Sequence, residues 1–200
     1  MSQAIAFRPL VSLAMPESRP ARLMLQAFLV VAGTLLLTVS AKTKVVLGPV
    51  DMSLQTLAVL LIGACFGARL GFAMLLLYLA EGAMGLPVFQ SSPEKGIGLA
   101  YMVGPTGGYL VGFAVMAAIA GYAADRGWDR NVVKFFGAML VAEIALLTFG
   151  FAWLSVLIGA EGAWTFGVLP FLVPDLIKVA LAACMVPAGW SALRGLGIAR

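Results

Sequence analysis

Between residues 23 and 193 the chain is one apolar run after another, parted by short joints that carry most of the charge. A chain of 200 residues cannot bury that much apolar surface in a water-soluble core. Hydrophobic residues make up 62% and charged residues 11%, against about 45–50% and about 25% in soluble domains. A bilayer is the solvent that fits. None of the runs alternates with period two, as a membrane β-strand would over about 10 residues. The runs are therefore helices, and the fold class is an all-α integral membrane protein.

Six apolar segments can be drawn, over residues 23–39, 54–66, 70–85, 107–124, 132–158 and 171–193. The second and third are short for a hydrocarbon core that takes about 20 residues to cross. Such segments are tolerated where protein lines a cavity. A leader, 1–22, precedes this membrane domain of 23–194, and a short tail, 195–200, follows it. Val39-Ser40-Ala41 supplies the small residues of a signal-peptide cleavage site, but the charged leader is long and more spans follow. With the N-terminus in the cytoplasm, Arg8, Arg19, Arg22, Arg69, Arg126, Arg130, Lys134, Arg194 and Arg200 fall inside. Only Lys42, Lys44 and Lys95 fall outside, and Lys178 lies within the last span. That asymmetry obeys the positive-inside rule and predicts six helices, N-in and C-in. It also accounts for the basic pI near 9.3 without nucleic acid. The inner joints are short, whereas outer loops 1 and 3 (41–53 and 86–106) are long. Each reads as a lid over an outward-facing site or as an ordinary connector.

Several chemistries drop out. With no histidine, His-based nucleophile systems and His metal sites are absent. Cys65 and Cys184 lie in separate apolar runs and suggest neither a disulfide framework nor a zinc motif. Gly104-Pro105-Thr106-Gly107-Gly108 lacks the Lys-[Ser/Thr] ending of a phosphate loop. No metal or cofactor is implied.

Ionisable groups inside spans cost at least about 2.5–3.5 kcal/mol and invite a functional reading. Four occur: Glu81, Glu143, Asp175 and Lys178. Asp175 and Lys178 share one helix face at a spacing of three, near the outer start of the last span. They form either a self-neutralising ion pair or a binding pair for a small polar head with N–H donors and an oxygen acceptor. Glu81, near the outer end of the third segment, either lines the same cavity or snorkels to water. Glu143 has no partner in the local sequence. Gln55 and Thr56 open the second segment on the outer side, for a ligand or as glue between helices. Aromatics gather at the outer ends as an interfacial belt, and among them Tyr109 and Trp153 either belong to that belt or pack on a ligand. The ladders Gly63-x3-Gly67-x3-Gly71 and Gly104-x3-Gly108-x3-Gly112 read as close helix contacts.

Leu54-Gln55-Thr56-Leu57-Ala58-Val59-Leu60-Leu61, Gly85-Leu86-Pro87-Val88-Phe89, Gly104-Pro105-Thr106-Gly107-Gly108-Tyr109-Leu110 and the Asp175-x-x-Lys178 pair together resemble the BioY family. These proteins are biotin-specific substrate-binding (S) components of energy-coupling-factor (ECF) transporters. The resemblance covers the membrane domain in order, and residues 85–109 are its most specific part. It implies a multi-pass protein of the cytoplasmic (inner) membrane that captures biotin from outside. Its partners would be a transmembrane coupling protein and two ATPase subunits, with a homo-oligomer left open. The chain itself would not be an enzyme. Asp175 and Lys178 occupy the family's biotin-contacting positions: Asp175 would accept from a ureido N–H, and Lys178 would donate to an oxygen. Three departures stand out. Pro174 precedes Asp175 where the family more often has Gly. Asp51 and Ser53 replace a proline and a threonine around Met52. Ala27 and Ala32 are five apart, not the four expected of a docking stripe for the coupling protein.

Three rivals carry other expectations. An intramembrane aspartyl protease needs a second aspartate in the membrane, and Ser155 and Ser191 have no adjacent lysine for a serine hydrolase. A proton-coupled carrier would use Glu143 and Glu81. The same fold with another vitamin is separated only by binding competition.

Overall fold

The computed structural model describes residues 9–45 and 50–198. Arg8 and Arg200 from the charge count, and Pro49 from the loop 1 motif, lie outside the described residues. A 3-10 turn (Leu10–Ala14) leads into α1 (Arg19–Lys42), which opens with Pro20 where a proline lacks nothing, since first-turn N–H groups have no intrahelical partner. Loop 1 then folds into two short antiparallel strands, β1 (Lys44–Val45) and β2 (Met52–Ser53). The apolar runs did not announce that hairpin. Next come α2 (Gln55–Ala83), a one-turn α3 (Gly98–Met102) within loop 3, α4 (Gly107–Asp125), α5 (Val132–Ala163) and α6 (Leu169–Gly195). A 3-10 turn (Trp128–Arg130) joins α4 to α5, and a π turn (Trp164–Val168) joins α5 to α6.

Among the described residues four helical stretches are long and apolar enough to cross a membrane: Arg19–Lys42, Gln55–Ala83, Gly107–Asp125 and Val132–Gly195. Two of them are bent back on themselves. In α2 the break is Gly67 (φ 78°, ψ 173°), and in α5 it is Gly159 (φ 80°, ψ 160°). Both lie in a backbone region that is essentially reserved for glycine. After Gly67 the chain reverses, so that a Cβ on Gly71 would sit 3.2 Å from the Cα of Gly63. The Asp125 carboxylate accepts from the Ala68 N–H at 3.1 Å and so caps the second arm of α2 across the bundle. The inner joint expected at Gly67-Ala68-Arg69 is therefore a single-residue turn.

α4 is the most enclosed helix. Gly63 of α2 abuts Ala117 and Ala120, and Gly121 abuts Ala68. On the other side Gly108 and Gly112 of α4 lie against Phe149 and Leu146 of α5. Small residues on both faces let three backbones approach closely, the close contacts that the glycine ladders suggested. The core that results holds Leu60, Met74, Met116, Met139 and Val179, each fully buried. At the end carrying the 3-10 turn, Trp190 of α6 donates its indole N–H to Asp129, a fully buried carboxylate. Asn131 caps α5 by accepting from the Lys134 N–H at 3.0 Å. Pro174 and Pro187 both lie inside α6, which packed membrane helices tolerate.

Candidate functional site

At the end of the bundle that carries loops 1 and 3, the helices part around a small polar-floored cavity. Its floor is α6. Asp175 and Lys178 meet there at 2.7 Å, 2% and 7% exposed. Lys178 Nζ also donates to the Ser53 carbonyl of β2 at 2.7 Å, so a single ammonium ties the floor to loop 1. Gln55, at the start of α2, lines the cavity beside Thr56; it is 1% exposed, and among the described residues its side-chain N–H2, near the Tyr78 phenol, completes no hydrogen bond. That buried donor is available to a ligand. On α5, Glu143 stands next to the Asp175–Lys178 pair. It is 5% exposed, and among the described residues no donor reaches its oxygens, while its carboxyl faces that of Asp175.

One wall is apolar. Tyr109 of α4 and Phe171 of α6 face each other with ring centroids 6.3 Å apart, joined by Phe113, Leu110 and Leu146. Tyr109 is locked by its hydroxyl, which donates to the Gly167 carbonyl at 2.6 Å. Its ring also leaves no room for a Cβ on Gly150.

The roof is loops 1 and 3, stitched together. Asp51 is 4% exposed. It takes an ion pair from Lys95 at 3.0 Å and a hydrogen bond from the Ser91 hydroxyl, while Gln90 donates to its carbonyl. Lys44 donates to the Ser91 hydroxyl at 2.6 Å, and Lys42 to the carbonyls of Phe89 and Ser92. Loop 3 is anchored below by Phe89, which stacks on Tyr101 at 5.1 Å, meets Tyr78 edge-on at 5.3 Å and lies over the bare Cα of Gly82. Burial pushes the Tyr101 phenol above its ordinary value, so it stays protonated and donates to the Gln90 carbonyl. With the roof in place the cavity is small, about 40 Å³.

The structure thus brings together Asp175, Lys178, Gln55 and Tyr109, and it places two other candidates elsewhere. Glu81 faces α1 and accepts from the Thr34 hydroxyl at 3.0 Å. Trp153 donates to the Gly104 carbonyl at 2.9 Å and lies 38% exposed on the outside of the bundle. Sequence reading did not single out Gln90, Tyr101 or Phe113 as cavity residues, nor Asp51 as more than a departure. Asp51 carried one signal, an acid in an otherwise apolar stretch of loop.

The model of the BioY family matches residues 14–195. The chain belongs to the BioY family. Its relatives include a protein named "Probable biotin transporter BioY" from Pyrococcus horikoshii, 39% identical over 147 residues, which are 74% of this chain and 85% of that one. A "Biotin transporter BioY" from Thermotoga maritima is 36% identical over 152 residues, 75% and 86% of the two chains. Another from Rhizobium etli is 34% identical over 145 residues, 68% and 76%. A crystal structure of the S-component for biotin from an ECF-type ABC transporter superposes with a TM-score of 0.74 over 86% of this chain and 94% of that one, at 20% identity. At that identity the likeness speaks for the fold.

Proposed function

We propose that this BioY-family protein takes up biotin across the cytoplasmic membrane as the substrate-binding component of an ECF-type transporter. The observation that carries the reading is the dry Asp175–Lys178 pair at 2.7 Å on the floor of a cavity with an aromatic wall. Biotin's ureido ring has two N–H donors and a carbonyl acceptor, its thioether ring and valeryl chain are apolar, and its tail ends in a carboxylate. Asp175 accepts from a ureido N–H, and Lys178 donates to an oxygen. The Tyr109–Phe171 wall holds the apolar body, as small-ligand sites usually require. Gln55 adds a donor, while Glu81 and Trp153 act at most indirectly from their places off the cavity.

Lys178 already serves the Ser53 carbonyl, so a ligand oxygen competes for the ammonium that pins loop 1. Loops 1 and 3 cover the cavity through the contacts of Asp51 with Ser91 and Lys95. Entry therefore requires loops 1 and 3 to lift and binding lets them close again, which makes the stitched roof a lid. In this reading the Gly67 and Gly159 turns divide the four apolar stretches into six spans, with both termini in the cytoplasm as the distribution of basic residues favours. Residues 23–194 then form the membrane domain between the segment 1–22 and the tail 195–200. The cavity opens outward, and ATP is hydrolysed by two partner subunits that act through a transmembrane coupling protein.

The test is equilibrium binding of biotin to the purified protein in detergent with no other subunit. Saturable binding that Asp175→Asn abolishes is the expected result. A well-folded protein that binds another vitamin and leaves biotin alone would overturn the ligand assignment.

A further inference from the structure

A second concavity lies on the lipid-facing side of the bundle, remote from the biotin cavity and sharing no residue with it. It is a groove of about 960 Å³ between the second arm of α2, α4 and α5, within the range of about 300–1,000 Å³ common among small-molecule sites. It is lined by small residues, Ala118, Ala123, Gly137 and Ala138, and by large ones, among them Phe72 and Val141. A Cβ added to Gly137 would meet no atom within 4 Å, so the groove is open space above a bare backbone.

The mouth differs from the rest. Tyr122, Trp128 and Lys134 line it, where the end of α4 and the first turn of α5 come together. The Arg126 guanidinium lies 4.2 Å from the centroid of the Tyr122 ring, which adds a second cation. The two carboxylates of this joint are already engaged. Asp125 caps Ala68, and Asp129 is fully buried with Trp190. Among the described residues no carboxylate forms an ion pair with Lys134 or Arg126. The result is an apolar channel whose mouth carries two cations outside any ion pair among the described residues, flanked by the Tyr and Trp side chains that favour interfacial depth.

We propose that this groove holds one anionic phospholipid, its phosphate at Lys134 and Arg126 and one acyl chain lying over Gly137. Charge complementarity selects this occupant: a second copy of this chain would bring the same cations to the mouth, and a zwitterionic lipid would bring no net charge. Basic pockets between membrane helices bind anionic headgroups on the same grounds.

The experiment is native mass spectrometry of the intact chain released from detergent, titrated with phosphatidylglycerol or phosphatidylcholine of identical acyl chains. The first adduct is expected to favour phosphatidylglycerol by about fivefold for each contributing cation. Lys134→Ala is expected to lower that preference by about fivefold. Its backbone N–H, which Asn131 uses, is untouched. Gly137→Leu is expected to weaken the first adduct of both lipids by filling the channel, and as a glycine replaced inside a helix it leaves thermal unfolding no lower than in the parent. Equal retention of the two lipids by the parent protein, or adducts unchanged in both variants, would overturn the proposal. A mass of two protomers that Gly137→Leu reduces to one would also overturn it, in favour of a second copy in the groove.

Discussion

Asp175 and Lys178, at 2.7 Å and shielded from water, are each the other's ion-pair partner. Removing one partner of a buried pair costs about 3–5 kcal/mol. Asp175→Asn and Lys178→Ala should therefore each weaken biotin binding by at least about 100-fold, and unchanged affinity in both purified variants would end the proposed recognition. Asp129 offers a test that is independent of ligand. Burial raises its carboxyl above the ordinary 3.8. The folded state thus holds the proton more tightly, and the stability this contributes is complete below that value and lost as pH rises through the folded one. Asp129→Asn retains an oxygen for Trp190 and should flatten that part of the decline, read as unfolding temperature in detergent from pH 4 to 7. Identical pH slopes would show that the carboxyl does not set them. The residues legible in the sequence were those whose meaning is local. Asp175 and Lys178 share a face by spacing, and Gln55 and Tyr109 open helices at the end that carries loops 1 and 3. Glu81 gave the same signal as Asp175, an acid in a span, but it bonds Thr34 from another helix. Asp51 draws its meaning from Ser91 and Lys95, at a distance along the chain that no local pattern reports.

Among the elements, the two glycine turns separate backbone strain from crowding. Gly159 has no atom near an added Cβ, whereas at Gly67 a Cβ would lie 2.5 Å from the Asp125 carboxylate. Gly159→Ala should cost about 1–3 kcal/mol from conformation alone. Gly67→Ala should cost more, because it also displaces the cap on Ala68, and a thermal-unfolding series in detergent ranks the two. Equal losses would mean that the Asp125 contact contributes nothing. Loops 1 and 3 are held together by the Asp51–Lys95 pair and the lysines around Ser91 and Ser92. Lys95→Ala should speed biotin release by about threefold to tenfold while changing association little, since interface contacts act chiefly on the off-rate. An unaltered dissociation trace would show that the pair does not hold the loops down. Helix positions were readable because apolar runs and short charged joints coincide with them. The β1–β2 hairpin and α3 were not, because their order comes from hydrogen bonds between loops 1 and 3 rather than from any run of their own.

At the scale of the whole molecule, the charge asymmetry and the apolar runs predicted a membrane bundle, and the fold agrees with that of a solved S-component. What the runs could not supply is how α4 becomes the centre, a matter of which glycines face which neighbours. The Gly67 turn bears on how such a bundle is made. It joins the two arms of α2, residues 55–66 and 68–83, with no hydrophilic loop between them, and each arm falls short of the about 20 residues that a lone span needs. Neither arm is expected to act alone as a stop-transfer sequence during biogenesis, so the pair should leave the insertion machinery as a ready-made hairpin. A nascent chain cut after Phe66 should leave the second segment extractable by alkali when tethered behind an unrelated membrane anchor and cleaved from it, whereas extension through Ala83 should make the pair resist extraction.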